Sequence, residues 1–237
     1  MNESSVLTTR AVIFDLYGTL IDLFSWDAAQ KVLSDMAETL SLPIKSFQRL
    51  WTDTYSERVT GAFPDSESYM LDLCKRLRTV PCETSLEAAI DMMNEFTRSL
   101  MVPRPDAEQT LTRLKHAGLK LGLLTNCPWE VPTYWNQTSL APLMDEAVFS
   151  FAVGCKKPDK RIYELTCDRL GVQPQESIFV GDGGNQELQG AEAVGMTSVL
   201  IRTPEDNIYN PRRTASDGWP GIRISRLSEI FDIALAK

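Results

Sequence analysis

The amino-acid sequence predicts an α/β fold: a Rossmann-like, mostly parallel sheet core with an all-helical segment inserted after the first strand. Three observations carry this. Short apolar runs alternate with helix-length segments over residues 103–237, and such alternation builds βαβ units. Residues 24–101 instead keep a helical rhythm with no strand-like alternation. Third, several apolar runs end in polar clusters, namely Asp15, Thr125-Asn126 and Asp182. In parallel sheets, ligands lie beyond the carboxyl ends of the strands, so these clusters should converge.

The first strand is the run AVIFDL at 11–16, broken by Tyr17-Gly18-Thr19. Helices are predicted over 26–40, 44–60, 65–78 and 85–101, punctuated by Pro43, Gly61, Pro64 and Pro81. Residues 21–102 therefore form a helical cap, and residues 1–20 and 103–237 form the core. After Pro103 and Pro105, a helix over 106–117 ends at Gly118, a residue suited to a C-cap. Strands follow at 119–124 and 147–149, then a helix at 160–170 ending at Gly171. A strand at 177–180, a helix at 186–194, a strand at 197–201 and a helix at 227–236 complete the chain. The polar, Pro/Gly-rich stretch 203–221, with Arg212 and Arg213, reads as a surface loop.

The chain has 237 residues and 43% hydrophobic content, enough for one core domain and a modest insertion. Its net charge of −8 repels phosphate backbones and anionic membranes, so nucleic acid and membrane surfaces are poor partners. No apolar run approaches the roughly 18 residues of a membrane span. Five cysteines without a C-x-x-C pair suggest reduced thiols, and with a polar N-terminus they predict a cytoplasmic protein.

Asp15 at a strand end, beside a turn whose N–H groups can hold an anion, is the expected nucleophile. Thr125 and Asn126 offer a hydroxyl and donors at the same rim. Lys157, before Pro158-Asp159 at a helix start, can offset negative charge. Asp182 in the turn GDGGN adds a second carboxylate, and paired carboxylates suit a hard cation such as Mg²⁺.

Four segments in order, FDLYGTL (14–20), LLTN (123–126), KKPD (156–159) and VGDGGNQELQGAEAVGM (180–196), resemble the motifs of the haloacid dehalogenase superfamily. The resemblance covers about 9–20 and 103–237; the helical segment matches the family's cap position without a readable signature. It implies that Asp15 forms an aspartyl-enzyme intermediate, that Thr125 and Asn126 bind the transferring group, and that Lys157 offsets its charge. It also implies that Asp15, Asp182 and the main-chain oxygen of Tyr17 ligate Mg²⁺.

The chain departs from the phosphatases of this superfamily at two points. They usually place a second Asp, the general acid and base, two residues after the nucleophile, where this chain has Tyr17. A phenol titrating near 10 is a poor base at neutral pH, and such help is typically worth about 10²–10⁴-fold. Where phosphatases often have Asn-Asp, this chain has Gln186-Glu187, and Glu187 supplies a longer carboxylate for the metal. Tyr at the first position is typical of 2-haloacid dehalogenases, and Tyr163, six residues after Lys157, agrees with them. Those enzymes lack a metal-binding acid at the position of Asp182. Members that cleave phosphorus–carbon bonds also lack the second Asp, but neither cap lysine, Lys31 or Lys45, stands out as a Schiff-base former.

Other conspicuous residues have plainer readings. His116 belongs on a helix surface near its C-terminus, and Cys127 reads as a structural thiol. Trp26, Trp51 and Tyr55 read as cap core more than substrate wall, and Arg49 and Arg58 as solvated side chains, with contact of one of them to substrate the alternative reading. The expected function is thus Mg²⁺-dependent hydrolysis of a small phosphate ester, with Tyr17 lining the substrate pocket. The rivals are 2-haloacid dehalogenation and non-catalytic binding of a phosphometabolite on a degenerate core.

Overall fold

Six strands, β1 (Ala11–Phe14), β2 (Lys120–Thr125), β3 (Glu146–Phe149), β4 (Ser177–Gly181), β5 (Thr197–Ile201) and β6 (Ile222–Ile224), form one sheet in a computed structural model that describes residues 8–203 and 218–236. Every pairing is parallel, and the order is β3-β2-β1-β4-β5-β6. The strand succession reverses beside β1, so a crevice opens at the carboxyl ends of β1 and β4. All four residues of β1 are buried, as its unbroken apolar run requires of a central strand covered on both faces. The α/β, Rossmann-like expectation holds.

Between β1 and the rest of the sheet run α1 (Trp26–Thr39), α2 (Ile44–Asp53), α3 (Tyr55–Val59), α4 (Ser66–Arg76) and α5 (Glu83–Ser99). The Ser25 hydroxyl and the Asp65 carboxylate accept from Ala28 N and Ser68 N, capping α1 and α4 at 3.4 and 2.8 Å. These helices bury their own cluster, with Met36, Phe47, Tyr69, Leu73 and Met93 inside it. The helix expected over 44–60 is two helices. They part at Thr54, whose hydroxyl donates back to the Leu50 carbonyl at 2.7 Å and so competes with the backbone ladder.

The remaining helices are α6 (Ala107–His116), α7 (Val131–Trp135), α8 (Ser150–Val153), α9 (Lys160–Leu170), α10 (Glu187–Ala193) and α11 (Ile230–Ala234). Alternation along β1 divides the core in two. Val12 and Phe14 pack with Leu111 and Leu114 of α6, while Ala11 and Ile13 pack with Ile162 of α9 and Leu188 of α10. Three elements escaped the sequence reading: α7, α8 and β6. Each has five residues or fewer, too few to display a period. α10 also starts at Glu187 rather than 186, and α11 spans only part of the expected 227–236.

The helical segment is tied to the core at several points. The Ser150 hydroxyl of α8 donates to the Val59 carbonyl of α3 at 2.6 Å. Gly61 sits against the Phe151 carbonyl with φ +76°, where any Cβ would collide. Ile21 and Pro103, at the two ends of the segment, form an antiparallel bridge. His116 is exposed in the last turn of α6, as expected, and all five cysteines are unpaired. No helix among the described residues is long and apolar enough to cross a membrane. The loop expected over 203–221 falls mostly, with Arg212 and Arg213, outside the described residues.

Candidate active site

Asp15 follows β1 directly, and its N–H still donates to the Val180 carbonyl (2.9 Å), so the sheet fixes its position beside β4. The next turn is held by Gly18 at φ +76° and by the buried Arg104, whose guanidinium donates to the Gly18 carbonyl at 3.0 Å. Thr19, also buried, directs its hydroxyl to Asp15 Oδ2 at 3.5 Å.

Lys157 is 2% exposed, yet it is fully engaged. Its Nζ donates to Asp15 Oδ1 at 2.5 Å and to Glu187 Oε2 at 2.6 Å. Asn126 sets the backbone that carries it: Asn126 Oδ1 accepts from Lys157 N (2.8 Å) and Asn126 Nδ2 donates to Lys157 O (3.0 Å). The Asn126 amide therefore clamps the lysine. Thr125, at the end of β2, has a buried hydroxyl without a hydrogen-bond partner among the described residues. A buried orphan of this kind costs roughly 1–3 kcal/mol, which a ligand oxygen would recover.

Asp182 follows β4, and its Oδ1 accepts from Gly184 N at 2.8 Å. The chain then takes three left-handed residues, Gly183, Asn185 and Gln186, the last two without glycine's freedom. This bend delivers Glu187 into the site rather than to solvent. Glu187 is buried: Oε1 accepts from Gly183 N (2.8 Å), and its carbonyl accepts from the Tyr163 hydroxyl (2.8 Å). Gly181 leaves the room it needs, because a Cβ there would overlap the Glu187 carboxylate.

The electrostatics follow from burial. Desolvation raises the Asp15 carboxyl, opposed by the Lys157 charge, and it raises Glu187 well above the usual carboxylate range, with Asp15 adding to the effect. Burial alone would depress the Lys157 ammonium; Asp15 and Glu187 outweigh it and hold the lysine charged. One oxygen each from Asp15, Asp182 and Glu187 lies within 4.8 Å of the others. Three carboxylates facing one ammonium leave a formal excess of two negative charges in a buried place. A hard divalent cation with oxygen ligands would offset that excess, so the donor set fits Mg²⁺.

All seven residues singled out in the sequence, Asp15, Tyr17, Thr125, Asn126, Lys157, Asp182 and Glu187, line one cleft of about 70 Å³. Phe24 and Tyr55 line it as well, brought in by the helical segment. Tyr55, read as cap core, is thus a wall of the cleft. Tyr17 meets Phe24 edge-on at 5.9 Å, and its phenol is pushed well above its ordinary value by burial and then by Glu130, so it stays protonated. Glu130 was not legible. It precedes α7, is buried, accepts weakly from the Thr97 hydroxyl (3.4 Å), and burial pushes it up to about 7. Arg49 is exposed and pairs with Asp53, as a solvated residue should, whereas Arg58 is buried.

A family profile described as haloacid dehalogenase-like hydrolase matches residues 9–195. The chain is 27% identical over 231 residues to the glyceraldehyde 3-phosphate phosphatase of Methanopyrus kandleri, covering 94% of this chain and 96% of that one. It is 29% identical over 224 residues to (S)-2-haloacid dehalogenase 4A of Burkholderia cepacia, covering 89% and 94%. Its fold is also similar to the crystal structure of an HAD phosphatase from Thermococcus onnurineus, with a TM-score of 0.65, 24% identity, and 95% and 97% coverage.

Proposed function

Because the chain belongs to the haloacid dehalogenase-like hydrolase family, we propose that it is a Mg²⁺-dependent phosphatase of a small phosphorylated metabolite, working through an aspartyl-enzyme intermediate. The observation that carries this reading is Asp182, whose carboxylate joins Asp15 and Glu187 in a buried acidic set with excess negative charge. A dehalogenation site needs no such set.

In this reading an Asp15 carboxylate oxygen attacks phosphorus and the ester P–O bond breaks. The leaving alcohol departs with the bonding pair and takes a proton from solvent. Water then attacks the phosphorus of the acyl phosphate, freeing inorganic phosphate and restoring Asp15. The Thr125 hydroxyl donates to a phosphoryl oxygen, and Lys157 offsets charge on Asp15 and on the group in transfer. Asn126 acts as a positioning residue for Lys157. Asp15, Asp182, Glu187 and the main-chain oxygen of Tyr17 would hold Mg²⁺, whose contribution is charge neutralisation. Residues 1–20 and 103–237 serve as the catalytic core and 21–102 as a cap that bounds the cleft. A cytoplasmic setting accords with five unpaired cysteines.

The test is turnover of a chromogenic phosphate ester. Activity should require Mg²⁺, vanish in EDTA and be abolished by Asp15→Asn; full activity in that variant would sink the covalent mechanism. Tyr17 favours a second reading, 2-haloacid dehalogenation. Chloride or bromide release that persists in EDTA, without ester turnover, would establish it instead.

A further inference from the structure

Within the helical segment lies a second cavity of about 130 Å³, beside the acidic cleft. Its walls include Phe24, Trp26, Met36, Trp51, Met93 and Phe96. Phe24 is shared: it lines the cleft too, standing edge-on to Tyr17 at 5.9 Å and to Phe96 at 6.2 Å. The cleft itself is the smaller of the two, at about 70 Å³. A substrate held at Asp15 by its transferring group would reach this second cavity past Phe24.

Arg58 gives this cavity its chemistry. It is 5% exposed and lines the apolar space, with its guanidinium 4.2 Å over the Trp51 ring. Its Nη1 donates to the Trp51 carbonyl (3.0 Å) and to the Tyr69 hydroxyl, both neutral acceptors. Among the described residues no carboxylate comes within the 4.0 Å of an ion pair with it. Glu130 feels its charge but is engaged with Thr97 and carries a raised pKa. A buried cation with no carboxylate in ion-pair contact is costly, and a ligand that brings one would relieve that cost.

We propose that this cavity is the leaving-group subsite, and that it takes an aryl group bearing a carboxylate that pairs with Arg58. The proposal rests on the phosphatase reading above and specifies its substrate class: phosphate monoesters of carboxylated aromatic alcohols. The volume agrees with a single ring, since an apolar cavity of roughly 150 Å³ admits benzene. Four aromatic walls suit ring stacking, and a bidentate fork suits a carboxylate.

The binding arm of the test is calorimetric titration of the Mg²⁺-supplemented protein with 3-phenylpropionate and with its neutral analogue, 3-phenylpropanol. The acid should bind at least tenfold more tightly, and Arg58→Met should erase the difference. Arg58 also holds Trp51 and Tyr69, so Ala29→Trp, which fills the cavity from its wall, serves as a second variant. It should abolish binding of both compounds. Equal affinity for acid and alcohol in the unaltered protein, or undiminished binding after Ala29→Trp, overturns the proposal. In the kinetic arm, kcat/KM for 4-carboxybenzyl phosphate should exceed that for benzyl phosphate tenfold, and parity overturns the proposal. If the acid binds selectively but no phosphate ester is turned over, the phosphatase reading fails while the subsite stands.

Discussion

Glu130 offers a prediction whose size follows from its surroundings. Its carboxyl is buried between α5 and the start of α7, with Oε2 unpartnered among the described residues, and burial pushes its pKa from 4.5 up to about 7. A raised carboxyl stabilises the fold in its neutral form. That contribution is complete below about pH 4.5 and is lost as pH rises through about 7. The two values lie about 2.5 pH units apart at about 1.4 kcal/mol each, a ceiling of about 3 kcal/mol. Between pH 5 and pH 8 most of it, about 2–3 kcal/mol, should disappear. Glu130→Gln keeps an oxygen to accept from Thr97 and cannot ionise. Urea unfolding in EDTA at pH 5 and pH 8 measures the difference. The unaltered protein should lose about 2–3 kcal/mol more than the variant across that interval. Parallel pH dependences would refute the claim that Glu130 is neutral in the folded protein.

Three further substitutions probe the site. Lys157→Met leaves Asp15 and Glu187 buried without their shared cation, a loss of about 3–5 kcal/mol and roughly 10 °C in Tm, read by metal-free scanning calorimetry. An unchanged Tm would contradict the 2.5 and 2.6 Å contacts. Gly181→Ala drives a methyl into the Glu187 carboxylate, so urea unfolding should show a loss of about 1–3 kcal/mol, and kcat should fall as Lys157 loses its second partner. Tyr17→Asp places a carboxyl where the phosphatase pattern has its acid and base. Phosphate-ester turnover should rise by about 10²-fold in steady-state assays, and a decrease would count against slow proton transfer as the limit.

Much of this architecture was legible because strand ends are punctuated. AVIF, KLGLLT and SIFVG stop at Asp15, Thr125 and Asp182, and a parallel sheet has only one rim at which those ends can meet. Residues 21–102 read as helical for a similar reason: long periodic segments announce themselves. What stayed hidden depended on contacts between distant parts. Arg58 looks like any helical arginine until Trp51 and Tyr69 close over it. Glu130 is invisible as a buried acid because its burial is made by α5 and the core together. For Glu187, expected at the metal, the route into the site was the hidden part: it turns inward because Asn185 and Gln186 adopt left-handed backbone, a choice no periodicity encodes.

The bridge between Ile21 and Pro103 bears on how such a protein can vary. The helical excursion leaves the sheet and returns to it at one point, so the register of β1 against β2 and β4 does not depend on what lies between. Closing a longer excursion costs only about 0.6 kcal/mol per doubling of length. Lineages could therefore lengthen, shorten or exchange this segment wholesale while the acid-bearing rim stayed untouched. Chemistry and selectivity would then be free to evolve on separate clocks.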